Sequence, residues 1–458
     1  MTDIDTSDSP VVTLSQSSSL SKYARALSRV SAIRLNGRVT RIVGVMVEST
    51  GPAAKMGEIC EIYTNPFDPP MLAEVVGFQD SRVMLMPFGE IGDLGKGAEV
   101  VSTGQPLQIG LSNALLGRVL DGLGRPLDGK PAVEADVFAS VLREPPHPLE
   151  RERITEHLPL GVRAIDGLIT CGSGQRIGIF SGSGVGKSTT LGMIARNTEA
   201  DINVIGLIGE RGREVREFLE RDLGPEGLAR SVVVVATSDQ VSVQRLRGAQ
   251  VATTIAEYFR DQGKRVLLML DSVTRIAWAQ REIGLAAGEP PTTRGYTPSV
   301  FAMLPKLLER AGTSAKGSIT GLYTVLVDGD DMNEPVADSV RSILDGHIVL
   351  SRNLAHQNHY PAIDILGSIS RVMPDITDSA HRGSAGALRR LMAAHRDNED
   401  LINIGAYVKG TNPTVDEAME KQDLINGFLR QTVDDKAEYT QTVSQLMELT
   451  QQDALAKV

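Results

Sequence analysis

Aromatic residues, cysteines and long apolar runs are all scarce in this chain. Phe, Trp and Tyr make up 4% of its 458 residues, so we expect a core built mainly from aliphatic side chains. The two cysteines, Cys60 and Cys171, lie far apart and outside any metal-binding spacing, which argues against a disulfide framework. No run reaches the roughly 18 apolar residues of a membrane helix, and residues 1–19 lack a signal-peptide pattern. These absences predict a cytoplasmic protein.

Basic residues are also in deficit. The chain has 47 Lys and Arg against 57 Asp and Glu, a net charge of -10. Because nonspecific binding to DNA or RNA relies on clustered basic side chains, we expect no nucleic-acid partner. His356 and His359 lie close together, but without further ligands nearby they indicate a polar loop rather than a metal site.

The first part of the chain divides by the spacing of its apolar residues. Residues 1–32 are predicted to form a polar tail followed by an amphipathic helix from Leu20, which either packs on its own domain or docks a partner. Residues 33–105 contain short apolar runs separated by turn residues, which predicts a small β-barrel. Within it, one strand is expected to present one valine face, formed by Val39, Val43, Val45 and Val47.

The remainder predicts an α/β domain followed by a helical one. From about Gln175 to Asp375, aliphatic runs alternate with longer amphipathic stretches, which favours a mostly parallel sheet with helices on both faces. The domain that contains this sheet is predicted to span residues 106–375. The glycine-rich segment 117–129 is predicted to form turns only. After Pro374 the strand pattern stops, and residues 376–458 are predicted to form a helical domain.

A phosphate-binding loop is the strongest motif. The sequence SGSGVGKS, residues 181–188, follows an apolar strand and precedes a helical run. In such loops backbone N–H groups hold phosphate oxygens, and glycines permit the tight turn. We expect Lys187 to reach the β- and γ-phosphates and the Ser188 hydroxyl to bind Mg²⁺. The usual first glycine is replaced by Ser181. The nucleotide-binding set is Gly182, Ser183, Gly184, Val185, Gly186, Lys187, Ser188 and Thr189.

Two acidic residues follow other predicted strands. Asp271 ends the apolar run RVLLMLD, where a carboxylate could hold Mg²⁺ through water opposite the phosphate-binding loop. Glu210 follows the run VIGLI and is flanked by Arg211. Hydrolysis needs a carboxylate that deprotonates water and a cation that meets the charge on the γ-phosphate, so this pair is a candidate for both tasks.

Several ordered segments together resemble one superfamily. They read SGSGVGKST, GLIGERGREV, MLDSVTR, GEPPTTRGYTPSVFAMLPKLLERAG and DGHIVLSRNLAHQNHYPAIDILGSISR. They are similar to the catalytic subunits of rotary ATP synthases, and closer still to the ATPases of flagellar and injectisome type III export systems. The resemblance implies a RecA-like P-loop ATPase core between an amino-terminal β-barrel and a carboxyl-terminal helical domain.

The resemblance also implies roles for particular residues. It makes Glu210 the general base, Asp271 the Mg²⁺-side carboxylate, Tyr360 the residue that stacks on adenine, and Arg211 a further cation at the phosphates. Arg371 would be an arginine finger that reaches into the neighbouring subunit's site. One departure is that Thr432 and Val433 stand where the synthase catalytic subunit has a second aromatic near adenine, which weakens the expectation of strict base selectivity.

The implied activity is Mg-ATP hydrolysis by a homohexamer that energises export of flagellar proteins. Implied partners are a regulatory or stator protein at the amino-terminal helix, complexes of export chaperones with their substrates, and the export gate of the inner membrane, with which the ATPase would associate peripherally. The stretch VDGDDMNEP, residues 327–335, favours the flagellar system, with an injectisome ATPase as the alternative. An RNA-translocating hexameric helicase or a noncatalytic docking subunit remain as further alternatives.

Overall fold

The computed structural model describes residues 36–65, 67–327, 329 and 331–451. The polar tail and amphipathic helix predicted for residues 1–32 lie outside this range. Among the described residues, no helix is both long and apolar enough to cross a membrane.

The amino-terminal part is a β-barrel. In the described chain, six strands close it in the order β1-β2-β5-β4-β3-β6. Their bounds are β1 Asn36–Val43, β2 Met46–Ser49, β3 Glu58–Tyr63, β4 Met71–Gln79, β5 Arg82–Pro87 and β6 Glu99–Pro106. Alternating side chains fill the interior, among them Val39, Val47, Ile62, Leu85 and Val100.

The expected single valine face is wrong at two positions. Val43 and Val45 are 49% and 52% exposed, whereas Val39 and Val47 are buried. The cause is a turn at Gly44, which adopts φ 58° and separates β1 from β2. The run is therefore a hairpin of two strands, and the valines beside the turn lie at its exposed tip.

The central part is built on a mostly parallel sheet. In the described residues it has nine strands, in the order β17-β16-β10-β15-β13-β11-β12-β8, with β14 added beside β15. Both β14 and β17 run antiparallel to their neighbours. The bounds are β8 Val119–Asp121, β10 Arg176–Ser181, β11 Ile202–Ile208, β12 Ser231–Ala236, β13 Arg265–Asp271, β14 Gly312–Thr313, β15 Ser318–Leu326, β16 Gly346–Leu350 and β17 Ile363–Ser370. A separate pair joins β7 Gln108–Leu111 to β9 Val137–Ser140.

Helices cover both faces of this sheet, and more helices follow it. Their bounds are α1 Arg163–Leu168, α2 Lys187–Asn197, α3 Gly212–Glu217, α4 Gly224–Ala229, α5 Ser242–Arg260, α6 Val273–Ala286, α7 Pro298–Leu308, α8 Pro335–Ile343, α9 Arg352–His356, α10 Met373–Ile376, α11 Ser379–Asn403, α12 Pro413–Leu429 and α13 Tyr439–Gln451. A π-helical turn, Phe218–Leu223, joins α3 to α4.

Two apolar cores form because the central strands are buried on both faces, as parallel sheets require. Val204 and Ile208 of β11 pack with α5 on one face. Ile205 and Leu207 pack on the other face, in a core that also contains residues of α2, α11 and α12. The carboxyl-terminal helices are thus continuous with the core of the sheet.

The prediction of turns for the segment 117–129 is wrong in its first part. Val119–Asp121 forms β8, which pairs in parallel with Val233–Val235 of β12. A strand of three residues between glycines is too short to show an alternating pattern in the sequence. Its partner β12 supplies the hydrogen bonds that make it a strand.

A buried ion pair joins the barrel to the sheet domain. Arg247 of α5 donates from Nε to Oε2 of Glu74 on β4 at 2.6 Å, and its Nη2 contacts Oε1 of the same carboxylate. The side chains are 10% and 3% exposed, respectively. Removing one partner of a buried pair leaves an uncompensated charge, which is strongly destabilising.

We therefore expect Glu74→Gln to lower the free energy of unfolding by about 3 kcal/mol, measured by urea denaturation. The matched control is Glu48→Gln in the same barrel, whose partners Arg41 and Arg82 are 64% and 46% exposed. For that exposed pair the expected loss is below about 1 kcal/mol. Equal losses in the two variants would contradict the structural weight given to the Glu74–Arg247 pair.

Candidate active site

Three parallel strands deliver the principal polar residues to one edge of the sheet. β10 ends at Ser181 and leads into the phosphate-binding loop. β11 is followed by Gly209 and Glu210, and β13 ends at Asp271. Because the carboxyl ends of parallel strands meet at the same edge, residues from distant parts of the sequence become neighbours there.

The loop between β10 and α2 has the backbone that phosphate binding needs. Gly184 and Gly186 have φ values of 78° and 88°, a region that side chains with a Cβ rarely adopt. Val185 between them is buried and holds the loop to the apolar core. Helix α2 begins directly at Lys187, so its positive end and free N–H groups face the loop.

The backbone conformation explains why Ser181 can stand where such loops usually have their first glycine. Ser181 is the last residue of β10 and pairs in register with Leu326 and Leu350. It is absent from the positive-φ positions of the described chain, so a side chain is tolerated there. Gly182 is buried, whereas Ser183 is exposed.

Lys187 is the centre of a buried charged cluster. Its Nζ donates to Oε1 of Glu210 at 3.2 Å and also contacts Oδ1 of Asp271. Burial lowers the pKa of Lys187, but the two carboxylates outweigh it and the net shift is upward. An ammonium group has three N–H donors. Two of them are directed at carboxylates, and one is left for a further acceptor.

Asp271 is held from a second side. The hydroxyl of Thr324 on β15 donates to its Oδ1 at 2.7 Å. Asp271 is 3% exposed. Ser188 and Thr189 lie half-buried in the first turn of α2, next to Lys187. A carboxylate and hydroxyls in the first helical turn are oxygen ligands of the type that Mg²⁺ prefers.

Glu210 is placed to act as a base. Its backbone carbonyl accepts from the N–H of Ser238, and Gly209 before it adopts φ 75°. Burial raises the pKa of the Glu210 carboxyl, although the neighbouring Lys187 acts in the opposite direction. A carboxylate with a raised pKa is a better proton acceptor than an ordinary surface glutamate.

Tyr360 and Arg211, two residues predicted to belong to the site, differ in where the structure places them. Tyr360 is 42% exposed, and its ring lies 3.5 Å from the position that a Cβ would take on Gly186, so it borders the phosphate-binding loop. Arg211 is 78% exposed in its side chain, and among the described side chains its ion pair is with Glu214 at 3.8 Å. The structure therefore brings Tyr360 to the loop but does not place Arg211 in the Lys187 cluster.

Arg371 lies at the opposite edge of the sheet. β17 runs antiparallel to β16, so Tyr360 precedes it at the loop edge and Arg371 follows it at the other. The exposed Arg371 donates its backbone N–H to the carbonyl of Asp345, which in turn bonds to Arg176 at the start of β10. From Arg176 to Ser181 is about 16 Å along the strand, too far for the side chain to reach its own loop.

Two residues of the site escaped the sequence analysis. Thr324 lies within an apolar strand, where a threonine is ordinary, and only the neighbouring β13 reveals its contact with Asp271. Arg275 packs its aliphatic stem against Gly209, and its guanidinium lies 4.9 Å from the centre of the Trp278 ring. The available signal for Arg275 was its position four residues after Asp271, in the first turn of a helix.

The segment 428–433 places no aromatic ring beside Tyr360. Phe428 is buried in the core, with its ring near Gly167. Val433 is 41% exposed. Gln431 between them donates its backbone N–H to the carbonyl of Tyr360 at 3.0 Å, so the segment supports the tyrosine without adding a ring.

A parallel sheet with a phosphate-binding loop, a buried lysine and two carboxylates at one edge defines a P-loop nucleotide hydrolase. Family models agree over three consecutive parts of the chain. Residues 39–104 match the β-barrel domain and residues 161–370 the nucleotide-binding domain of the ATP synthase alpha/beta family. Residues 377–448 match the EscN ATPase C-terminal domain of type III secretion systems.

Curated relatives narrow the assignment. The flagellum-specific ATP synthase of Bacillus subtilis is 54% identical over 415 residues, 90% of this chain and 95% of the relative. The type 3 secretion system ATPase of Xanthomonas euvesicatoria is 51% identical over 426 residues, 93% and 96% of the two chains. The structure of the assembled ATPase EscN of enteropathogenic E. coli superposes with a TM-score of 0.86 at 48% identity, covering 90% of this chain and 100% of EscN.

The chain belongs to the family of flagellum-specific ATP synthases and type III secretion ATPases. It is an ATP-hydrolysing enzyme. The family, the fold class and the ATPase activity predicted from the sequence are thereby confirmed.

Proposed function

We propose that this chain hydrolyses Mg-ATP at sites shared between neighbouring subunits of a homohexameric ring, and that the ring energises export of flagellar proteins. The observation that carries the proposal is the division of the site. Lys187, Glu210 and Asp271 converge at one edge of the sheet, while Arg371 is presented at the other.

The phosphates would bind at the loop 182–186 and the start of α2. Lys187 has an N–H left for a phosphate oxygen, and the helix adds its positive end. Tyr360 beside Gly186 would stack on the adenine. Arg211 is assigned to the γ-phosphate side; its high exposure and its weak pairing with Glu214 leave it free to turn toward a bound nucleotide.

Mg²⁺ would be held by the hydroxyl of Ser188 directly and by Asp271 through water. The donor set fits, because both groups are oxygen ligands and Thr324 fixes the carboxylate in position. Mg²⁺ when bound neutralises charge on the β- and γ-phosphates.

Glu210 would orient and deprotonate the attacking water. Its carboxylate accepts a hydrogen bond from Lys187, the residue assigned to the phosphates, and this contact places Glu210 on the γ-phosphate side of the site. Burial raises its pKa, which favours acceptance of the proton.

Arg371 would complete the site in trans. An arginine finger is worth roughly 10³- to 10⁵-fold in rate, and this one lies about one strand length from its own loop. A neighbour in a closed ring can present its opposite edge to that loop, because head-to-tail contacts repeat around the ring. The assembled form of the related EscN supports such an arrangement.

The flagellar assignment is supported by the Bacillus relative and by a flagellum-specific ATP synthase of Treponema pallidum, 51% identical over 431 residues. EscN has been solved with its central stalk EscO. By analogy, we assign this chain a stalk or stator partner, which would bind at residues 1–32, outside the described part of the chain. We also assign it chaperone–substrate complexes as cargo and a peripheral position at the membrane export gate.

Mixed rings test the shared site. Arg371→Ala and Glu210→Gln subunits are each expected to be nearly inactive while still binding ATP. In a 1:1 mixture, about a quarter of the interfaces combine an intact base with an intact finger. Phosphate release should therefore recover to about a quarter of the wild-type rate per subunit.

The control is a mixture of Arg371→Ala with the double variant Glu210→Gln/Arg371→Ala, which restores no interface. Ring formation is checked by mass photometry under the assay conditions. No recovery in rings of normal size would refute the assignment of Arg371 in trans.

The biological assignment is tested in the source bacterium. Replacement of the chromosomal gene by the Glu210→Gln form should abolish flagellar filaments and swimming at unchanged growth rate. Retained filaments together with lost secretion of effector proteins would instead assign the chain to an injectisome.

A further inference from the structure

A compact polar cluster holds the backbone of Arg371 at the edge of the sheet away from the phosphate-binding loop. We define the finger anchor as Gln175, Arg176, Asp345 and Ser370. These residues come from the starts of β10 and β16 and from the end of β17. None of them touches the nucleotide site of its own chain, and the assignment of the cluster rests on the proposed role of Arg371.

Asp345 is bonded to both the finger and the sheet. Its carbonyl accepts from the backbone N–H of Arg371 at 3.0 Å, and its own N–H donates to the carbonyl of Arg176 at 2.9 Å. Its carboxylate accepts from the backbone N–H, Nε and Nη2 of Arg176 at 3.1, 3.0 and 3.1 Å. This bidentate contact fixes the orientation of Asp345, whose carbonyl binds Arg371.

Gln175 adds a fully buried brace. Its Nε2 donates to the carbonyl of Asp345 at 3.1 Å and to the hydroxyl of Ser370 at 3.0 Å. Its Oε1 accepts from the N–H of Gly172 at 2.8 Å. Gln175 thus links Ser370, the residue immediately before Arg371, to the Asp345 carbonyl that also binds Arg371.

We propose that the finger anchor positions Arg371 for its neighbour's active site, and that the Arg176–Asp345 pair fixes the backbone that carries Arg371. A cation that stabilises a transition state must be held in place beforehand, because reorganisation during the reaction reduces its effect. Arg371 is exposed and follows the edge strand β17, and its backbone N–H is bonded to the carbonyl of Asp345 within this cluster.

The test variant is Asp345→Asn. It preserves shape and backbone bonds, and Arg176 keeps its second partner Glu309, so the chain is expected to fold. The matched control is Asp201→Asn at the same edge of the sheet. Asp201 accepts from the backbone N–H of Arg265, donates to its carbonyl and pairs with its guanidinium in the same pattern, but it has no bond to Arg371.

We expect Asp345→Asn to reduce kcat roughly ten- to hundredfold, with ATP affinity of the isolated subunit unchanged. Asp345→Asn should weaken catalysis at the neighbouring subunit's site, as Arg371→Ala does. Mixing with Glu210→Gln subunits, which contribute intact fingers, should restore phosphate release, whereas mixing with Arg371→Ala subunits should not. Asp201→Asn should leave kcat near wild type.

The outcomes separate this proposal from the one on which it rests. If Arg371→Ala is rescued by Glu210→Gln but Asp345→Asn is not, Arg371 acts in trans and the finger anchor does not position it. If neither variant is rescued in rings of normal size, the shared site itself is wrong. An equal loss of kcat in Asp345→Asn and Asp201→Asn would reduce the anchor to general stabilisation of the sheet edge.

Discussion

The contact of one ammonium group with two carboxylates is the constraint on which the site depends. Lys187, Glu210 and Asp271 lie on three different segments, and each follows or ends a different strand of one parallel sheet. Bringing three charges into a buried place is costly unless they compensate one another. The three strands therefore have to keep their relative positions closely enough for these contacts to form. Two apolar cores on opposite faces of the sheet hold them there.

The same sheet separates Arg371 from the nucleotide site of its own chain. Strand β17 begins next to Tyr360 at the loop edge and ends next to Arg371 at the other edge. Strand β10 runs the opposite way, from Arg176 beside the finger to Ser181 beside the loop. Under the proposed mechanism, each subunit carries a nucleotide site at one edge and offers Arg371 to a second site at the other. A ring is the arrangement in which every such edge finds a partner.

Much of this site could be predicted because its residues follow strands that are apolar throughout. The loop 182–186 and Glu210 follow such strands, Asp271 ends one, and parallel pairing then brings them together. The contact of Thr324 with Asp271 could not be predicted, because a threonine inside a strand usually only packs against neighbouring side chains. The edge at which Arg371 lies depends on β17 running antiparallel, which no local pattern encodes. The three-residue strand β8 was missed because it is set by pairing with the distant strand β12. The hairpin was missed because the turn at Gly44 interrupts a run of valines that otherwise alternates like one strand.

In the proposed mechanism, hydrolysis takes place between chains. The most direct measurement is phosphate release per subunit of the wild-type protein as a function of its concentration, followed through the range in which rings assemble. If the site is completed by a neighbour, specific activity climbs with the fraction of subunits in rings and becomes constant once assembly is complete. A specific activity that is the same for isolated subunits and for rings would contradict the account, because it would mean that one chain contains every group the reaction needs.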